Sequence, residues 1–314
     1  MIPPIAFHPA YEASLPAGHR FPMRKYGLLA ETLIAKGLAP LGFVTPEPAS
    51  AEILVRAHDP AYVEAVLRGT VSREIERAIG LPVDAAVIRR SRSSVGGTLL
   101  AARLALAEGL AGSAAGGSHH ARRHQGAGFC VLNDVAVAAR TLQAEGQVRR
   151  ALVVDLDVHQ GDGTADCLAL CPDLFTLSIH CENNYPAQKI AGDLDIGLPD
   201  RLDDAGYLDV LRARLPPLLD ALAPDLVFYN AGVDPHRDDR LGRLCLTDAG
   251  LLARDRFVVA QARARGIPLV AVIGGGYASD VDALARRHAL VFEALAAEAA
   301  RGSTPRPDRV RSGR

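Results

Sequence analysis

The sequence predicts an α/β fold, a three-layer α/β/α sandwich around a central, mostly parallel sheet. Two observations predict it. Four short apolar runs, 151–158, 174–179, 226–231 and 268–273, are hydrophobic on both faces, as strands buried between two helical layers are. Segments with helical periodicity alternate with them, and a repeated strand-then-helix order builds parallel sheets.

The elements follow in chain order. Segment 95–110 is rich in alanine and leucine, with Leu99, Ala102, Leu106 and Leu110 on one apolar face. Segment 134–143 follows Asn133, a residue suited to capping a helix N-terminus. The strand at 151–158 comes next, then the strand at 174–179. Helices over 208–222 and 248–265 each precede a strand, and a helix over 280–299 closes the fold. No repeat or linker divides the chain, so residues 1–300 read as one catalytic-sized domain. The tail 301–314, with five arginines and two prolines, is expected to be a disordered basic segment.

Composition narrows the class. A chain of 314 residues fits one large α/β domain, and 49% hydrophobic with 23% charged residues is ordinary for a soluble protein. A net charge of −1 leaves no footprint for nucleic acid or an anionic membrane. Only three of 35 basic residues are lysine (Lys25, Lys36, Lys189), a bias that reads as a GC-rich bacterial genome. Five cysteines form no disulfide framework, and Cys167-x-x-x-Cys171 lacks a second pair to complete a tetrahedral site. With no signal-peptide pattern and no run of membrane-spanning length, the expectation is a cytoplasmic protein with reduced thiols, as a monomer or homodimer.

Chemistry concentrates just beyond the strand ends, where open α/β sheets place their sites. Behind 151–154 stands Asp155-Leu-Asp157-Val-His159-Gln-Gly-Asp162-Gly. An extended backbone would send Asp155, Asp157 and His159 the same way. Buried acids need a cation or hydrogen-bond donors. Asp157, His159 and Asp234 offer one imidazole and two carboxylates, the set of a hydrolytic metal site with open positions. Zinc suits it, and Fe(II), Co(II) or Mn(II) would be tolerated. The plainer alternative is that Asp157 and Asp234 only cap helices. His119 and His120, after Gly116-Gly117 on a short segment following a helix, fit a proton-transfer site. Asp155 and Asp162 remain as partners for two His–Asp pairs. Tyr277, after three glycines, can donate a hydrogen bond to a developing oxyanion.

Together the segments 116–134, 155–163, Asn230-Ala-Gly-Val-Asp-Pro235 and Gly274-Gly-Gly-Tyr277 resemble the zinc-dependent histone deacetylase family, which has the arginase/deacetylase fold. Residues 58–63 extend the likeness towards the N-terminus, and 193–199 and 239–244 bring it closest to the class IV branch and its bacterial relatives. The resemblance implies zinc on Asp157, His159 and Asp234, with His120 as general base and His119 beside it in an electrostatic role. Asp155 and Asp162 would partner His119 and His120, and Tyr277 would polarise the acyl carbonyl. It further implies an acyl-lysine tunnel walled by Gly128, Phe129, Tyr185 and Gly275, and a potassium ion near Asp155 and Ser178. The expected activity is hydrolysis of an amide on an acyl-lysine peptide, protein or related amine, with the class IV likeness favouring longer acyl chains. An acetylpolyamine or small-metabolite amidohydrolase, a ureohydrolase of the arginase type with a two-metal cluster, and a non-catalytic acyl-ligand binder are the alternatives.

Overall fold

Among the described residues, 2–302, the computed structural model builds one seven-stranded sheet. Its strands are β1 (Ile5–Ala6), β2 (Leu110–Ser113), β3 (Ala151–Asp155), β4 (Leu174–Cys181), β5 (Leu194–Leu198), β6 (Leu226–Asn230) and β7 (Leu269–Val272). They lie in the order β1-β2-β7-β6-β3-β4-β5, every neighbouring pair parallel. Residues 303–314 of the expected tail lie outside the described residues. No helix among the described residues is long and apolar enough to cross a membrane.

The helices are α1 (Lys25–Ala35), α2 (Ala51–Leu54), α3 (Pro60–Arg68), α4 (Arg73–Ile79), α5 (Ala85–Glu108), α6 (Asp134–Ala144), α7 (Asp162–Leu168), α8 (Asp204–Leu222), α9 (Asp248–Ala264) and α10 (Val281–Ala300). On one face of the sheet α5 packs against β1, β2 and β7 and carries α6 beside it. On the other, α10 packs on β2 and α9 on β7, with α1 and α8 flanking them. Side-chain caps start many of these helices: Asp84, Asn133 and Asp280 accept backbone N–H bonds at the starts of α5, α6 and α10.

β3 is buried along its whole length between β4 and β6. Its last residue, Asp155, stands in register with Ser178 of β4 and Asn230 of β6. β2, β7, β6 and β3 end side by side at Ser113, Val272, Asn230 and Asp155, while β4 runs on to Cys181, and the loops that follow share one rim of the sheet.

Three expectations change. The strand expected over 151–158 stops at Asp155, because Asp155 Oδ1 accepts the Asp157 N–H (3.2 Å) and Asp157 Oδ1 accepts the His159 N–H (3.0 Å). These successive side-chain turns curl the chain, so Asp155, Asp157 and His159 do not project in parallel. The helix expected over 95–110 runs from Ala85 to Glu108, and Leu110 instead opens β2 after Gly109 (φ 91°). The His119-His120 pair consequently follows a strand, not a helix. Three strands, β1, β2 and β5, escaped the pattern: they are two to five residues long, and β2 reads Leu-Ala-Gly-Ser.

His58 staples the N-terminal segment to the loop that carries the polar residues. Its Nδ1 lies 2.9 Å from the Arg122 carbonyl, and its Nε2 accepts the Asn133 N–H at 2.9 Å. Only the neutral ring can do both. Burial pushes its pKa down to about 4, against backbone hydrogen bonds that favour the charged form. The unfolded chain protonates this ring near pH 6.5 while the folded chain resists until about 4. Stability is therefore expected to fall as pH drops through that window, with His58 contributing up to about 3 kcal/mol. Chemical denaturation at a series of pH values should show a flatter pH slope for His58→Gln than for the wild type.

Candidate active site

Loops after β2, β3, β6 and β7 converge on one cluster. After β2, the turn at Gly116–Ser118 is held by Asp134, which is buried at the start of α6. Asp134 accepts the Gly117 N–H (3.1 Å), the Ser118 N–H (2.8 Å) and the Thr98 hydroxyl (2.6 Å). That anchor presents His119 and His120 to the loop after β3.

His119 Nδ1 lies 2.7 Å from Asp155 Oδ2, and His120 Nδ1 lies 2.6 Å from Asp162 Oδ1. The other oxygen of Asp162 accepts two bonds from the Arg122 guanidinium, at 2.9 and 2.8 Å. Asp155 Oδ1 accepts the Asn230 amide at 2.9 Å. The two adjacent rings differ in charge preference. Burial opposes protonation of His119, but the Asp155 and Asp157 carboxylates outweigh it and raise its pKa to about 9. Burial and then the neighbouring His119 push His120 down to about 4, with Asp162 acting against them. His120 thus favours the neutral imidazole, and its Nε2 makes no hydrogen bond among the described residues.

Asp157, His159 and Asp234 form the one three-donor His/Cys/Asp/Glu cluster among the described residues, all buried, with ligand atoms within 4.8 Å of one another. His159 Nδ1 sits 3.0 Å from Asp157 Oδ1 and 3.1 Å from Asp234 Oδ2. Donors about 2.0–2.1 Å from a shared tetrahedral ion stand roughly 3.3 Å apart, so the spacing fits a divalent cation. Gly275 supports the same reading. A Cβ there would lie 2.2 Å from Asp234 Oδ2 and 2.6 Å from Asp157 Oδ2, filling the space between the carboxylates. The cluster's demand for positive charge shows in His159, whose pKa rises to about 10 despite burial because Asp157 and Asp234 face it. Neither aspartate caps a helix; the N-cap of α7 is Gly161.

Arg254, fully buried on α9, braces the two loops that carry these donors. Its Nη1 donates to the carbonyls of Leu156 (3.1 Å) and Gly232 (2.7 Å), while Asp255 balances its charge at 2.9 Å. Sequence reading missed it, although it shares a helical face with buried Leu251 and Val258, an unusual place for a lone cation. Arg122 and Asp134 were missed as well. Both lie inside the motif around the histidine pair, but only the fold shows their partners.

Tyr277 is 8% exposed, and its hydroxyl makes no hydrogen bond among the described residues. Its backbone is pinned instead: Asp239 accepts its N–H at 2.6 Å and Arg240 Nε donates to its carbonyl at 2.7 Å. Tyr277, His120 and His159 open onto a cavity of about 320 Å³ whose walls include Gly128, Phe129 and Tyr185. Phe129 adopts a left-handed backbone (φ 66°), a strain of about 1–3 kcal/mol. The end of α4 holds it there, through Phe129 N–H to Ile79 carbonyl (2.7 Å) and Gly128 N–H to Ala78 carbonyl (2.9 Å). Gly275 is not on this outer wall. It donates its N–H to Asp157 Oδ2 (2.7 Å) and lines a void of about 20 Å³ deeper in, shared with Tyr277, Lys25 and Arg90. Ser178 lies beside Asp155 on β4, with its hydroxyl 3.0 Å from His180 Nδ1.

The family model for the histone deacetylase domain matches residues 19–295. An uncharacterized protein of Picosynechococcus sp. is 49% identical over 292 residues, covering 93% of this chain and 97% of its own. Histone deacetylase 2 of Arabidopsis thaliana is 32% identical over 269 residues, covering 82% of this chain and 70% of its own. Among solved structures, the HDA15 HD domain superposes with a TM-score of 0.78 at 21% identity, over 96% of this chain and 89% of that one; it shares the fold.

Asp157→Ala and Asp234→Ala are each expected to lower bound divalent metal far below one ion per chain by elemental analysis, while His119→Ala keeps it. Arg254→Lys retains the charge but loses the fork, and should weaken metal affinity about 10-fold in a chelator titration.

Proposed function

Since this chain belongs to the histone deacetylase family, and is a deacetylase-type hydrolase, we propose that it is a zinc-dependent enzyme removing a short acyl group from lysine side chains. The observation that carries this reading is the meeting of three elements on one cavity. These are the Asp157/His159/Asp234 donor set, a neutral His120 backed by Asp162 and Arg122, and a Tyr277 hydroxyl with no partner of its own.

A divalent ion held by those three side chains would supply Lewis acidity to the acyl carbonyl and make a water molecule easier to deprotonate. His120 takes the water's proton at Nε2, with Nδ1–H held by Asp162 so that the ring keeps one tautomer and orientation. Tyr277 donates its hydroxyl to the acyl oxygen as negative charge builds there. His120 then returns the proton to the departing amine. Arg122 holds Asp162 in place, and Asp155 holds His119, which favours the charged form beside His120. The leaving amine points out along the walls of Gly128, Phe129 and Tyr185.

The acyl group must point the other way, into the void of about 20 Å³ behind Tyr277, which holds about one water-sized group. Two buried cations, Lys25 and Arg90, line that void, and no carboxylate pairs with either among the described residues. That floor supports acetyl over the longer chains that the class IV likeness implied. A ureohydrolase needs donors for two ions, whereas the described residues supply one three-donor cluster.

Tyr277→Phe should lower kcat on an acetyl-lysine peptide by about 10²–10³-fold with metal content unchanged. Wild-type turnover by that variant would remove Tyr277 from the mechanism. Across an acyl series on one peptide, kcat/KM should be highest for acetyl and fall by at least about tenfold at octanoyl; a preference for octanoyl would overturn the short-acyl assignment.

A further inference from the structure

The mouth of the cavity has a one-sided charge. Its lining includes Arg20, Arg77 and Arg243 and no aspartate, glutamate or lysine. The chain as a whole carries 36 acidic against 35 basic residues, so composition alone does not produce such a ring. The three arginines come from separate parts of the chain: the segment before α1, the last turn of α4 and the loop before α9.

Two of them have no ion-pair partner among the described residues. The Arg20 guanidinium carbon lies over the Phe129 ring, 4.9 Å from its centroid, at the tunnel wall. Its carbonyl accepts Arg240 Nη2 at 3.0 Å, and the same guanidinium donates to the Tyr277 carbonyl at 2.7 Å, which ties the position of Arg20 to the catalytic loop. Arg77 is exposed at the end of α4, the helix whose last carbonyls hold Gly128 and Phe129. Arg243 pairs loosely with exposed Asp200 at 3.4 Å and adds less to the field.

From this ring we propose that the enzyme selects substrates with negative charge beside the acylated amine. Its preferred substrates are acyl-lysines in acidic sequence, and acylated polyamines are disfavoured. The proposal rests on the deacylase reading above and names its substrate class. A cleft lined by one sign of charge concentrates ligands of the opposite sign, and a guanidinium fork matches a carboxylate in two parallel hydrogen bonds. A polyamine brings ammonium groups to the same place, where the lining residues offer no carboxylate to offset their charge.

The test uses acetyl-lysine peptides with matched acidic, neutral or basic flanks, together with acetylspermidine, on the full-length metal-loaded enzyme. The acidic peptide should exceed the basic one in kcat/KM by about tenfold at low salt, a gap that narrows at high salt. In an Arg20→Glu/Arg77→Glu variant that acidic-to-basic ratio should fall to one or below. The ratio cancels any general loss of activity, so a damaged but active variant still reports. Equal rates on all flanks, a preference for acetylspermidine, or a ratio unchanged in the variant would overturn the charge selection while leaving the deacylase intact. No turnover even of the neutral peptide would remove the deacylase reading and this inference with it.

Discussion

Four buried carboxylates crowd one edge of the sheet, and balancing their charge organises the rest of the site. Asp155, Asp157, Asp162 and Asp234 are each 3% exposed or less. Burying an ionised carboxylate without compensation is costly, so each has dedicated partners. Asp155 is matched by His119 and Asn230, and Asp162 by His120 and Arg122. Asp157 and Asp234 receive backbone N–H bonds from Gly275 and Val158, which stabilise them but bring no positive charge. They share His159, and the deficit left at that point is what a divalent cation would satisfy.

The same charge arrangement separates two histidines that sit next to each other in sequence. His119 touches Asp155 and approaches Asp157 at 3.6 Å, so it favours the charged form. His120 is held neutral first by burial and then by its positive neighbour, and its one carboxylate partner, already engaged by Arg122, does not outweigh them. Two identical side chains thereby differ in charge preference, one favouring the charged form and one the neutral form, by environment alone.

The scaffold delivers this chemistry to one place because its parallel strands end in register. Binding surfaces then come from connections rather than strands. α4 holds the strained Gly128-Phe129 wall, the Asp239-Arg240 pair holds Tyr277, and Arg254 holds the carbonyls beneath both donor loops.

Much of this was legible from residue type and short-range pattern. The central strands announced themselves because both of their faces are buried, and the donors and histidines stood out because acids and imidazoles behind an apolar run are rare. β2 stayed hidden, since Leu-Ala-Gly-Ser lacks β-branched and aromatic residues and its burial comes from neighbours. Asp157 and His159 were recognised for the wrong geometric reason: the chain there curls through side-chain turns instead of staying extended. Arg122, Asp134 and Arg254 could be read as residues but not as supports. Asp255 apart, which adjoins Arg254 in sequence, their partners lie 16 to 98 positions away, and nothing in local sequence says which distant carboxylate or carbonyl will be left needing a donor. The arginine ring at the mouth is of the same kind, assembled from three segments that meet only when the chain is folded. Periodicity and chemistry act over a few residues, whereas compensation of buried charge acts through space.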